Sequence, residues 1–196
     1  LADWGAAAYL EVNWPRRPLS RGVDVLPIRG ARGVFGDLYL PSTAPPWPIV
    51  IAIGGSEGGT AVTNEVARTF VEQGYLVLAL AYWDLEVLPP NIDRIPLEYF
   101  REAIEVAKEY PGARRDRIAL IGVSRGSEAA LLVASGSPDV SAVVSVVGSG
   151  VSWPAWELWT EPSWTRGDAG VAFVPWANAQ PTVRVFDDGG VEVSSR

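Results

Sequence analysis

Four runs of this chain, residues 49–53, 76–80, 118–121 and 140–147, are almost continuously aliphatic. A strand with one wet face alternates apolar and polar residues, so runs without that alternation predict strands buried on both faces of a mostly parallel sheet. Between them lie segments with helical spacing of apolar residues. Residues 62–73 stop at Gly74, a natural C-cap, and residues 95–110 carry Pro96 near the first turn and stop before Pro111-Gly112. Residues 127–134 continue the series directly after the third run. Upstream, residues 23–28 and 34–40 are short apolar or alternating segments around Gly30-Ala31-Arg32-Gly33, which predicts an antiparallel pair joined by a turn. Strands alternating with helices after an antiparallel start give an α/β three-layer sandwich.

The pattern dissolves after Ser149 into Trp, Pro and Gly. Trp153, Trp156, Trp159, Trp164 and Trp176 fit either an aromatic loop packed on the sheet or a lid or acyl-pocket wall, and the packed loop is the simpler expectation. Residues 183–187 and 191–193 flank Asp188-Gly189, a hairpin signal. The expected organisation is a single domain over residues 1–196, with 1–22 as an N-terminal extension and 149–196 as a lid-like or hairpin tail.

Composition narrows the chemistry. With 48% hydrophobic and 20% charged residues the 196-residue chain has an ordinary globular make-up. A net charge of -7 argues against nucleic acid or an anionic membrane as partner, since phosphate binding needs clustered Lys and Arg. Zero Cys excludes disulfides, thiolate metal sites and a cysteine nucleophile, and zero His argues against zinc; no cofactor or metal is expected. No apolar run approaches the roughly 18 residues of a membrane span and the start lacks a leader pattern, so a cytoplasmic protein is the default expectation. Zero Met makes Leu1 a processed end or the edge of an incomplete reading frame.

Gly122-Val123-Ser124-Arg125-Gly126 sits between the third aliphatic run and the helical segment that follows it. That is the strand-turn-helix setting of a serine nucleophile elbow, in which small flanking residues make the sharp turn sterically possible. Gly54-Gly55-Ser56-Glu57-Gly58-Gly59 follows the first run, where such enzymes place one backbone donor of an oxyanion hole; the residue after the nucleophile supplies the other. Gly55 or Ser56, with Arg125, are the candidate donors. The bland alternatives are a structural turn at Ser124 and a flexible or anion-binding loop at Gly54. A serine hydroxyl normally needs an adjacent base, and the chain has no imidazole. Glu57, Asp84, Glu86, Asp93 and Glu128 are weak surrogates, because a carboxylate near its reference pKa of roughly 4 is poorly matched to a hydroxyl at neutral pH. An Arg or backbone partner for Glu128 is the more natural expectation.

From about Gly36 to Trp153 the chain resembles the C-terminal domains of bile acid-CoA:amino acid N-acyltransferases and acyl-CoA thioesterases, an α/β-hydrolase branch. The resemblance is carried by residues 54–59, 79–82, 95–103 and 121–129. It implies that Ser124 is the nucleophile, serine being the thioesterase form where the amino-acid transferases have cysteine. It also implies an Asp and a His after the next two strands, positions this chain does not reach, and hence an α/β-hydrolase-like sandwich lacking its last two strands. The resulting expectation is a serine hydrolase of carboxylic esters or acyl thioesters with a reduced catalytic set. Its rivals are a non-catalytic or incomplete hydrolase-like binding module and half of a two-component enzyme. The expected partners are a small ester or acyl thioester and, through the apolar edge left at residues 140–147, a second copy of the chain unless the 183–193 hairpin covers that edge.

Overall fold

The computed structural model describes residues 18–155, 160–175, 182–185 and 191–194. Its elements in chain order are β1 (Asp24–Ala31), β2 (Val34–Leu40), β3 (Trp47–Ile53), α1 (Ala61–Val71), β4 (Leu76–Ala81), β5 (Ile95–Pro96), α2 (Leu97–Glu109), β6 (Ala113–Val123), α3 (Arg125–Ala134) and β7 (Val140–Val146). Two short strands, β8 (Trp164–Arg166) and β9 (Ala169–Gly170), and a hairpin, β10 (Thr182–Val185) with β11 (Val191–Ser194), follow. The main sheet has the order β1-β2-β4-β3-β6-β7. Its β1/β2 and β2/β4 pairings are antiparallel, whereas β4/β3, β3/β6 and β6/β7 are parallel.

Period-two geometry resolves the unbroken aliphatic runs into two faces. Ile49, Ile51 and Ile53 of β3 and Leu76, Leu78 and Leu80 of β4 pack in one core cluster with Phe100 and Ala103 of α2 and Ala129 and Val133 of α3. The alternate residues Val50, Ala52, Val77 and Ala79 pack with Ala67 and Val71 of α1 on the other face. Larger side chains thus face the layer of α2 and α3, and smaller ones face α1. Burying each Ile or Leu side chain is worth about 1.5–3 kcal/mol, which makes these two strands the stable centre of the sheet.

Two segments depart from expectation. Residues 95 and 96 do not begin the helix: Ile95 pairs with Trp164, and the N–H groups of Arg94 and Ile95 donate to the carbonyls of Pro162 and Ser163. Pro96 caps α2 in an extended conformation, so the helix starts at Leu97. Strand β7 forms where expected but is not buried on both faces; Val144 is 46% and Val146 41% exposed. The reason lies in the sheet order. Among the described residues β7 is one of the two edge strands, and β10 and β11 pair with each other as a separate sheet instead of extending the main one.

The central position of β3 decides what comes next to what. Ile53 at its end is level with Gly122 of β6, so the loops leaving the carboxyl ends of these neighbouring parallel strands start side by side. Crevices beyond the carboxyl ends of such strands are where open α/β sheets bind ligands.

Candidate active site

Ser124 occupies the one-residue turn between β6 and α3 with φ 51° and ψ −118°. Such backbone costs a non-glycine residue about 1–3 kcal/mol and persists only where its surroundings impose it. Here they do. The Ser124 N–H donates to the Val146 carbonyl at 2.9 Å, tying the turn to β7, and the buried Ser127 hydroxyl donates to the Gly122 carbonyl at 2.7 Å. A methyl on Gly126 would stand 2.2 Å from the Gly54 carbonyl oxygen and one on Gly122 2.4 Å from that of Gly126. The turn closes only with glycine at both positions, which is the steric content of the motif.

The loop after β3 is pressed against this turn. A methyl on Gly55 would lie 2.9 Å from Ser124 Cβ. Two side chains from the end of β4 hold the loop there. Tyr82 Oη donates to the carbonyls of Gly54 and Gly55 at 3.1 and 3.3 Å, and the Trp83 indole donates to that of Gly55 at 3.0 Å. Because a trans peptide points its N–H opposite to its C=O, this anchoring also fixes the direction of the Ser56 N–H. Tyr82 is buried, and burial pushes its phenol far up from the ordinary tyrosine range, so it serves as a permanent donor. The Gly55 N–H is engaged differently: it donates to both carboxylate oxygens of Glu57, at 2.9 and 3.0 Å. Of the two alternative donors expected in this loop, Gly55 therefore has an internal ligand.

Arg125 contributes its backbone at the first position of α3, where a helix leaves its N–H groups without intrahelical partners. Its side chain turns inward. The guanidinium lies 2.8 Å from the Glu128 carboxylate, donates to the Pro154 carbonyl at 2.9 Å and also bonds the Ser163 hydroxyl. Glu128 in turn accepts the Trp153 N–H and the Trp164 indole N–H, each at 3.1 Å. Burial pushes the Glu128 carboxyl up and the Arg125 guanidinium down, while the pairing opposes both. Glu128 thus has the Arg and backbone partners expected of it. Trp164 is fully buried against Tyr82 and Phe100, as a packed aromatic loop requires; Trp156, Trp159 and Trp176 lie outside the described residues.

Among the remaining carboxylates, Glu86 pairs with Arg29 at 3.1 Å, and Asp84 packs against Gly58. Asp93 keeps one buried oxygen without a partner among the described residues. No group of metal-ligating side chains occurs among the described residues, and no described helix is long and apolar enough to cross a membrane. Tyr82, Trp83 and the contact of Glu57 with Gly55 are the parts of the site that sequence reasoning missed. The available signal was the Tyr-Trp pair at the end of a buried strand beside the glycine loop.

Comparison with known proteins bears on the family and the fold. Residues 95–183 match the family described as BAAT / Acyl-CoA thioester hydrolase C terminal. The mouse acyl-coenzyme A thioesterase 1 is 34% identical over 134 residues, 68% of this chain and 31% of that protein. The mouse peroxisomal succinyl-coenzyme A thioesterase is 35% identical over 137 residues, 70% of this chain and 32% of that protein. The chain therefore spans about a third of the length of these curated relatives. Among solved structures, an α/β hydrolase from Penicillium sp. sh18 superposes with a TM-score of 0.53 at 20% identity, covering 64% of this chain and 46% of that one. A dienelactone hydrolase from Anabaena variabilis gives 0.53 at 23% identity, covering 65% and 64%. These structures share the fold: a mixed, mainly parallel sheet of the α/β-hydrolase type.

Proposed function

Since the chain belongs, through residues 95–183, to the BAAT and acyl-CoA thioester hydrolase C-terminal family, we propose that it hydrolyses acyl thioesters or carboxylic esters through Ser124. The observation that carries this reading is the Ser124 turn, with φ 51°, set directly against Gly55. Ser124 Oγ bonds to the acyl carbon, the carbon–sulfur or carbon–oxygen bond breaks, and the serine proton leaves with the thiol or alcohol. Water then releases the carboxylic acid and restores the hydroxyl. Backbone N–H groups of Ser56 or Gly55 and of Arg125 stabilise the intermediate oxyanion.

The chain has no His to act as base. An oxyanion hole and substrate binding alone leave roughly 10³–10⁴ of acceleration over water, so these residues by themselves support weak turnover. The test is labelling by a fluorophosphonate probe, with thiol release from acyl-CoA and cleavage of p-nitrophenyl esters, beside Ser124→Ala. With zero Cys the protein adds no thiol background. Equal signals from the two proteins would sink the enzyme reading.

A second reading, an acyl-binding module without turnover, is favoured by the Glu57 carboxylate seated on the Gly55 N–H. Under it, a short carboxylate binds while labelling and ester cleavage are absent. We also infer self-association through the β7 edge. The cytoplasmic setting stays a proposal, since the relatives include a protein named as peroxisomal.

A further inference from the structure

The loop after β3 contains an exposed acidic residue whose placement the reaction above does not use. Glu57 lies exposed to solvent, yet both its carboxylate oxygens are drawn onto one backbone amide, that of Gly55, at 2.9 and 3.0 Å. Neighbouring glycines make room for it. A methyl on Gly54 would meet Glu57 Oε1 at 2.4 Å, and one on Gly55 would meet both Ser124 Cβ at 2.9 Å and Glu57 Oε2 at 3.1 Å. Ser124 and the Glu57 carboxylate therefore border the same small space beside Gly55.

A carboxylate oxygen and a developing acyl oxyanion are the same kind of ligand for an amide: small, oxygen-centred and negative, accepting N–H at roughly 2.7–3.1 Å. We propose that the Gly55 N–H is a seat for an acyl oxygen or a free carboxylate, filled in the resting protein by Glu57, so that the ligand enters only as Glu57 swings out. The proposal rests on Ser124 being the nucleophile only in naming what the seat is for. Three features support it. The seat borders the nucleophile, its occupant is anionic, and that occupant is exposed enough to exchange its single amide bond for water. The loop itself stays in place when Glu57 leaves, because Tyr82 and Trp83 hold it from the other side by the Gly54 and Gly55 carbonyls. An ester or thioester carbonyl, and the carboxylate of a released acid, are the ligands this chemistry accepts.

The experiment follows the backbone amide resonance of Gly55 in the nitrogen-15-labelled full chain, titrated with butyrate, in wild type, Glu57→Ala and the near-isosteric Glu57→Gln. The expected result is that Gly55 responds to butyrate at about tenfold lower concentration in Glu57→Ala than in wild type, the worth of one exposed charge-assisted hydrogen bond. Glu57→Gln should fall between them and controls for loss of folding. An equal response in all three proteins, or none in either well-dispersed variant, overturns the seat. Fluorophosphonate labelling of the same samples separates this from the reading of Ser124. A tenfold gain of butyrate response with no Ser124-dependent labelling keeps the seat and removes the nucleophile. Labelling that needs Ser124, with Gly55 indifferent to Glu57→Ala, does the reverse.

Discussion

Arg125, the residue after Ser124, holds its guanidinium 2.8 Å from the Glu128 carboxylate one helical turn away, and both side chains are almost wholly buried. The pair has two further roles. Arg125 gathers the carbonyl of Pro154 and the hydroxyl of Ser163, and Glu128 the N–H groups of Trp153 and Trp164. Together they fasten the aromatic segment to the elbow helix. Removing one partner of a buried pair strands the other charge, at a cost of about 3–5 kcal/mol. Glu128→Ala should lower stability by that order in urea unfolding. Arg125→Met with Glu128→Leu should recover part of the loss; if the double variant is less stable than Glu128→Ala, stranded charge is not the cause.

Tyr99 predicts an alkaline limit. Its hydroxyl accepts the Phe35 N–H at 3.1 Å and donates to the Ala81 carbonyl at 2.5 Å, bridging the paired residues Phe35 and Ala81 of β2 and β4. Burial pushes its phenol up to about 12. An unfolded tyrosine ionises near pH 10, so this contribution is intact below about pH 10 and is lost as pH rises towards the folded value. Tyr82 has the same sign and cause. Tyr99→Phe should cost about 1–2 kcal/mol at neutral pH through two broken hydrogen bonds, while its stability should fall less steeply than wild type above pH 10. Parallel curves for the two proteins would contradict the assignment.

Tyr82 and Trp83 predict a split between stability and reactivity. Replacing either by Phe removes its hydrogen bond but keeps an aromatic ring in place, so the Gly55 peptide loses part of the anchor that sets the Ser56 N–H. Tyr82→Phe and Trp83→Phe should slow fluorophosphonate labelling of Ser124 by about tenfold, below the 10²–10³ of deleting an oxyanion donor outright. Far-ultraviolet circular dichroism should be unchanged. A labelling rate equal to wild type in both variants would show that the loop needs neither.

The β7 edge predicts association. Val144 and Val146 are exposed on a strand whose outer side has no strand partner among the described residues, a template for another strand. Sizing with light scattering at micromolar concentration should give a dimer or larger species, and Val144→Lys should shift it to monomer. A wild-type monomer throughout that range removes the edge as an interface.

How far the sequence could be read differs between elements for physical reasons. Strands β3, β4 and β6 announce themselves because burial between helix layers demands uninterrupted Ile, Val, Leu and Ala, and α1 and α2 because their apolar spacing and stops are local. Ser124 was legible for the same reason: its elbow needs Gly122 and Gly126 at fixed positions. The start of α2 was not, because the fate of Ile95 and Pro96 depends on Trp164, far along the chain. Nor was the exposure of β7, since an aliphatic run records what a strand can bury and not which neighbour covers it.

By itself the sequence determined the layered α/β architecture, the serine elbow and the absence of imidazole, all properties of residue type and short spacing. Only the tertiary structure decided which loops meet at Ser124, that Tyr82 and Trp83 hold one of them, and that Glu57 occupies the Gly55 amide. Those relations depend on strand order: β3 and β6 are far apart in the chain, and parallel pairing alone sets Ile53 beside Gly122. A hydrophobic pattern specifies that a strand is buried, whereas the partner it pairs with is chosen by the packing of the whole sheet.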